Sequence, residues 1–246
     1  LVELQPVDRL LKISREEGLL HAQETTRAVI RGLAHEIKNP LGGVRGAAQL
    51  LARELPNEDL AEYTQVIIRE ADRLRDLVDR LLGPAQQLQL EPLNIHEVLE
   101  HVRNLILAES DNRVSFIRDY DPSLPEIPVD RTQMIQVVLN IMRNALQAAT
   151  DAQACVITLR TRSRRQFTIG AQLHRLVCQV DIIDNGPGIP REIDHAIFVP
   201  MVTGRAEGTG LGLAIAQSVI NHHGGLLECE SQPGNTRFTL YIPMGK

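Results

Sequence analysis

The chain contains no tryptophan, and only four Phe and three Tyr among its 246 residues. Binders of single-stranded nucleic acid stack bases on aromatic side chains, and this sequence supplies little to build such a platform. A basic excess is missing as well. Lys and Arg number 26 against 31 Asp and Glu, for a formal charge of -5, which argues against a dedicated nucleic-acid binder. No nucleic acid is expected as a partner. Long apolar runs are also scarce. Thr132 to Met142 is the longest apolar, uncharged stretch in a helical pattern, far short of the roughly 20 residues a membrane helix needs. Gly208 to Leu227 is uncharged but is broken by five glycines and several polar residues, so no membrane span is expected. Cys155, Cys178 and Cys229 are far apart and lack CxxC spacing. Each sits in a strand-like stretch and is expected as a buried small hydrophobe in a reducing cytoplasm. No secretory pattern opens the chain, which begins on Leu1 rather than Met and is expected to start inside a longer protein.

What is present is a change of style partway along the chain. At 43% apolar content the length suits one large domain or two modest ones. Residues 1–20 are weakly patterned and read as a linker stub. Apolar residues then recur at Ile30, Leu33, Ile37, Leu41, Val44, Ala48, Leu51 and Leu55 in steps of three and four, a helical stripe of coiled-coil type. Pro56-Asn57 breaks it, and Asn57 can cap a second helix whose stripe runs through Leu60, Tyr63, Ile67, Ala71, Leu74, Val78 and Leu81 to a stop at Gly83-Pro84. Residues 21–85 thus read as a helical hairpin. A lone hairpin cannot cover its own stripe, and a four-helix bundle from two chains, a homodimer, solves this. Pro84 to Leu93 is rich in Gln and Pro, and residues 86–93 read as a linker. From 94 to 246, helices are expected at Ile95 to Ala108, Asp130 to Ala149 and Gly210 to His222. Strands are expected at Val114 to Tyr120, Val156 to Thr161, Val177 to Ile183, Leu226 to Glu230 and Arg237 to Ile242, with a turn at Pro233-Gly234-Asn235. That mixture implies a two-layer α/β sandwich, and an α+β chain overall.

Four clusters carry chemistry. His35 falls off the apolar stripe, beside Glu36 and four residues before Asn39. An exposed imidazole next to a carboxylate is a usable nucleophile, though a solvated surface histidine looks the same. Pro40 removes a helical hydrogen bond, a kink that a fold keeps more readily where strain serves a site. Asn140 and Asn144, at i and i+4, share one helix face and offer neutral oxygens suited to Mg²⁺, or are plain surface polars. Asp184-Asn185-Gly186-Pro187-Gly188 follows a strand. Its carboxylate can accept from a base amino group and its glycines permit close backbone approach, or it is a simple turn. Gly208-Thr209-Gly210-Leu211-Gly212 opens a helix, where free backbone N–H groups make an anion site. The spacing is not the dinucleotide-binding fingerprint, and no GxxxxGK[ST], HRD or DFG occurs.

In this order and spacing, the four clusters together with Phe198-Val199-Pro200-Met201 resemble the transmitter region of bacterial sensor histidine kinases over residues 21–246. The stretches GLAHEIKNPLGG, RGAAQLL, DRLLGP, RDYDPSLPE and PMVTGR are similar to the nitrogen-regulation branch of that family. Met201, where most members have Phe, and Leu226, where relatives often have Lys or Arg, depart from the wider pattern. The resemblance implies a dimerisation and phosphoacceptor hairpin followed by an ATP-binding sandwich of the GHKL (Bergerat) type, with ATP and Mg²⁺ as cofactors. It implies that His35, oriented by Glu36, takes the γ-phosphoryl group and passes it to an Asp of an NtrC-like response regulator. Asn39 with Glu36 is implied to serve phosphatase activity on that regulator, under control of the PII signal protein. In the sandwich, Asp184, Gly186, Gly188 and Thr236 are implied at the base. Asn144 is implied as the magnesium ligand with Asn140 beside it. The amides of Gly208, Thr209, Gly210, Leu211 and Gly212 are implied around the phosphates, and Arg205, in a lid from about Val199 to Glu207, at the γ-phosphate. A PAS sensor domain is implied ahead of Leu1. The alternatives are a plain GHKL-type ATPase, which needs no exposed histidine, and a non-catalytic adapter.

Overall fold

The computed structural model describes residues 37–55, 58–82, 88–111, 113–149, 154–204 and 208–245. His35, Glu36 and Arg205 lie outside the described residues, as do the breaks at Pro56-Asn57 and Gly83-Pro84. The chain forms two compact units, residues 1–85 and 86–246.

In the first unit, a helix over residues 37–54 (α1) is followed by α2, Glu58–Leu82. The hairpin closes on small side chains: Ala48, Thr64 and Ala71 are each buried, and Arg45 Nε donates to Asp72 Oδ1 at 2.7 Å between the helices. The larger apolar residues do not find cover within one chain. Ile37, Val44, Leu51, Ile67 and Leu74 remain 43–50% exposed. A stripe of that kind is left when a helix pair has a further surface to meet.

The second unit runs β1 (Glu91–Leu93), α3 (Ile95–Glu109), β2 (Val114–Asp119), β3 (Ile127–Val129), α4 (Arg131–Ala148), β4 (Cys155–Ile169), β5 (Gln172–Asp184), a 3-10 turn, α5 (Gly212–His222), β6 (Leu226–Gln232) and β7 (Asn235–Pro243). Five strands form one sheet in the order β2-β4-β5-β7-β6. The β2–β4 pair is parallel and the others are antiparallel. Alternation places Ile157, Leu159, Val180, Ile182, Leu240 and Ile242 on one face, all buried. Val98, Leu99 and Ile106 of α3, Met134, Val138 and Ile141 of α4, and Val219 and Ile220 of α5 are buried as well, so three helices cover one sheet face. Each such side chain contributes about 1.5–3 kcal/mol over an exposed one. The two-layer expectation holds.

Three local differences matter. Residues 91–93, inside the expected linker, form a strand that pairs with β3, with Pro92 opposite Pro128. The last three residues of that linker therefore belong to the folded unit. Strands β4 and β5 continue well past the expected Thr161 and Val177 into an arm that turns at Gly170-Ala171, with Leu173 63% exposed. Cys155 and Cys178 are buried as expected, whereas Cys229 is only half-buried. Burial pushes the Cys178 and Cys229 thiols up to about 12.

The start of α4, which carries the two asparagines, is fixed from several sides. Asp130 caps it by accepting from the Gln133 backbone at 3.0 Å, and its own N–H donates to His223 Nε2 at 3.1 Å. His223 Nδ1 lies 2.8 Å from the Val219 carbonyl, a pairing that requires the neutral Nδ1–H form. Burial lowers the His223 pKa, and that of His96 too; His96 stacks on Tyr120. A histidine with a depressed folded pKa is more readily protonated in the unfolded chain. Stability must therefore fall as pH drops through about 6.5 and below. Thermal melts of the second unit between roughly pH 7.5 and 5.5 should show this decline, and a His96→Gln/His223→Gln variant should show a shallower one. An unchanged slope in the double variant would refute the assignment.

Candidate nucleotide site

One cavity of about 650 Å³ opens in the second unit, between α4, the β5–α5 connection and the end of the sheet. Its volume suits a nucleotide-sized ligand. Asn140, Asn144, Asp184 and Gly188 lie on its wall, with Gly208, Thr209, Gly210, Gly212 and Thr236. Residues far apart in sequence are thus brought together by the sheet and by the α4–α5 pairing. Two expected residues are not on the wall. Gly186 lies behind Asp184, where an added Cβ would meet Asp184 Oδ1 at 2.7 Å. Leu211 turns its side chain into the core at 7% exposure. Leu226 also lies off the wall, in β6 opposite Tyr241.

Asp184 is the last residue of β5, buried, with Thr236 of β7 as its direct cross-strand neighbour. Its Oδ1 accepts from the Gly186 backbone at 2.9 Å, which fixes the carboxylate at the mouth of the strand. Asn185, between them, points elsewhere. Its amide bonds Val156 N and the Ala154 carbonyl and pins the loop to β4. Gly188 has φ +86°, and a Cβ there would sit 3.0 Å from Pro233 N. The close approach this glycine permits is therefore to the β6–β7 turn, where the sequence suggests a flat ring. The same turn is strapped to the loop by Gly234 N–H donating to the Gly186 carbonyl at 2.8 Å. Ser231 Oγ adds to the strap, accepting from Ile189 N at 2.8 Å and lying 3.0 Å from Thr236 Oγ1.

At the other end, α5 begins at Gly212 rather than Gly210. Gly210 has φ +66°, and its carbonyl accepts from Met201 N at 3.1 Å. Met201 itself has φ +67° and is 70% exposed. Asn140 is expected beside a metal ion, and the structure gives it a further task. Its Nδ2 donates to the Gly212 carbonyl at 3.0 Å, a strut between α4 and the first turn of α5. Its oxygen and the Asn144 amide on the same wall are neutral donors of the kind Mg²⁺ accepts when phosphate oxygens and waters complete its shell. The helix start with its N–H groups, the asparagines and the buried Asp184 together suit a ligand with an amino-bearing ring at one end and an anionic tail at the other. Arg143 and Ser231 are not identified from the sequence. Arg143 lies between the two asparagines in sequence and shares the cavity wall with them.

Residues 129–246 match the family described as histidine kinase-, DNA gyrase B-, and HSP90-like ATPase. Residues 26–87 match the His Kinase A (phospho-acceptor) domain. Among solved structures, the catalytic domain of histidine kinase ThkA is similar at 26% identity with a TM-score of 0.54, over 63% of this chain and 96% of that one. Full-length ShkA in complex with AMPPNP is similar at 25% identity with a TM-score of 0.59, over 89% of this chain and 46% of that one. Fold, cavity and the paired domains define an ATP-using sensor histidine kinase. The sensory histidine kinase/phosphatase NtrB of Klebsiella oxytoca is 52% identical over 247 residues, which cover 100% of this chain and 70% of that relative. The chain belongs to the NtrB family of sensory histidine kinases/phosphatases of two-component nitrogen regulation. Among the described residues, no helix is long and apolar enough to cross a membrane.

Proposed function

We propose that His35 is the phosphoacceptor of this kinase and that the cavity of the second unit delivers the γ-phosphoryl group of ATP to it. The observation that carries this reading is the single cavity wall shared by Asp184, Asn140, Asn144 and the Gly208–Gly212 segment. Asp184 accepts from the adenine amino group, and Thr236 supports the base through its place beside Asp184. The backbone amides from Gly208 to Gly212 surround the phosphates, with Arg205 reaching the γ-phosphate. Asn144 would hold Mg²⁺ with Asn140 beside it, and that ion would neutralise phosphate charge. Phosphoryl transfer needs little covalent chemistry from the protein beyond positioning and charge stabilisation. The His35 imidazole attacks phosphorus, the bond to the ADP oxygen breaks, and the imidazole proton is lost to Glu36 or to solvent. The resulting phosphoramidate passes its group to an Asp of an NtrC-like response regulator. In the phosphatase mode Asn39, together with Glu36, places a water against the regulator's aspartyl phosphate; the water attacks phosphorus, the bond to the Asp oxygen breaks, and inorganic phosphate leaves. The uncovered α1–α2 stripe supports a homodimer. In this reading the dimer works in the cytoplasm, and PII is the signal that selects between the two modes.

Incubation with γ-labelled Mg-ATP tests the reading. The chain should acquire a label that is stable in base and lost in acid. Release of free phosphate with no protein-bound label would instead make it a plain ATPase.

A further inference from the structure

The cavity has an unbalanced charge for the ligand proposed. A triphosphate brings several negative charges, yet the described wall carries a single cation, Arg143, against the carboxylate of Asp184. The backbone amides at the α5 start supply only partial charge. Gln147, one turn beyond Arg143 on the same wall, is neutral.

Arg143 is also held in place. Its Nε donates to Glu109 Oε2 at 3.0 Å, and its Nη2 donates to Glu109 Oε1. Two parallel contacts of this kind fix a guanidinium in plane and direction. Nη1 makes no hydrogen bond to any described residue. Glu109 is the last residue of α3, the end of a helix where the backbone dipole disfavours an acid. A carboxylate placed there makes sense if its task is to hold the arginine. The pair acts on both groups: Arg143 keeps the Glu109 carboxyl low, and Glu109 raises the guanidinium. At 46% exposure for Arg143 and 38% for Glu109 the pair itself adds little to stability, so a rim tether is a weak reason for this arrangement.

We propose that Arg143 contacts the phosphate tail of the bound nucleotide from the α3 side of the cavity, with Glu109 anchoring its guanidinium. This rests on the reading of the cavity as the ATP site. Arg143 is a half-exposed cation with one nitrogen uncommitted, on the same wall as the two asparagines. It supplies the full positive charge that the described part of the wall otherwise lacks.

Calorimetric titration of the full chain with Mg-ATP, Mg-ADP and adenosine tests this. For Arg143→Gln, affinity for Mg-ATP should fall about tenfold, the value of one charge-assisted contact at a half-exposed site, while adenosine affinity stays as in the parent. Glu109→Gln removes the anchor but leaves the cation, so its loss should stay within about threefold. Arg143→Lys keeps the charge without the fork and should fall between the two. Parallel loss of ATP and adenosine binding in Arg143→Gln would overturn the proposal. So would an equal loss in Glu109→Gln, which would make Arg143 only a tether between α3 and α4. A parent chain that binds adenosine as tightly as ATP, or binds neither, would fail the site reading itself, and the two failures are thereby told apart.

Discussion

A His35→Asn chain should bind Mg-ATP as the parent does and carry no phosphoryl label above background. The expectation follows from how the chain divides. Every residue on the cavity wall falls between Asn140 and Phe238, inside the unit that spans 86–246, while position 35 lies in the other unit. Nucleotide affinity therefore has no reason to change. Asparagine has a similar size and polarity but no ring nitrogen to attack phosphorus, so a covalent intermediate cannot form on it. The loss should be complete rather than graded, because the group removed is the proposed acceptor and not one of several stabilising contacts. Label retained on the variant, mapped to another side chain, would overturn the assignment of His35. A drop in ATP affinity of more than about threefold would contradict the separation of binding from acceptance.

Gly210→Ala should weaken Mg-ATP binding by tenfold or more while leaving the second unit folded. Two costs add. A residue with a Cβ at φ +66° costs about 1–2 kcal/mol in the left-handed conformation, so the free segment relaxes out of it, and regaining the binding geometry on nucleotide entry then lowers affinity by roughly tenfold. The new Cβ would also lie 2.6 Å from the Met201 carbonyl carbon and 2.7 Å from the Val202 oxygen. Both are backbone atoms that cannot rotate away. Relief requires the segment at Met201-Val202 to move, which breaks the Met201 N–H to Gly210 carbonyl bond and shifts the phosphate-side wall. Gly212→Ala provides the comparison. Its Cβ would meet Asn140 only at an ordinary 3.7 Å, so its loss should be much smaller. Equal effects of the two substitutions on ATP affinity would show that the cradle does not depend on this backbone geometry.

The helices and inner strands of the second unit were legible because burial imposes a period. Ile95 to Glu109, Arg131 to Ala148 and the Val177–Ile183 segment each carry apolar residues at the spacing their element requires. Where packing does not impose that period, the sequence was silent. The β4–β5 arm is rich in arginine and exposed at its far end, so its strand character is set by pairing with its own partner strand. Strand β1 is three residues long and contains a proline opposite another proline, a composition that argues for a linker. The candidate site divides in the same way. Residue types that nucleotide chemistry requires, such as Asp184 and the asparagines, stood out. The strut from Asn140 to Gly212, the burial of Leu211 and the role of Gly188 against the β6–β7 turn depend on contacts between distant segments, which spacing alone does not encode. Arg143 was hidden because a charged residue on a helix ordinarily faces solvent.

The strap between the Asp184 loop and the turn at Pro233-Gly234 has a practical side. That turn is a tempting place to insert a reporter, since it is short and exposed at Gly234, where a Cβ would meet nothing. An insertion there would pull on Gly186 and Ser231 and so on the loop that carries Asp184. The Gly170-Ala171 tip, at the end of an arm that contributes no described residue to the cavity wall, is where a fluorophore or affinity handle can be grafted without touching that wall.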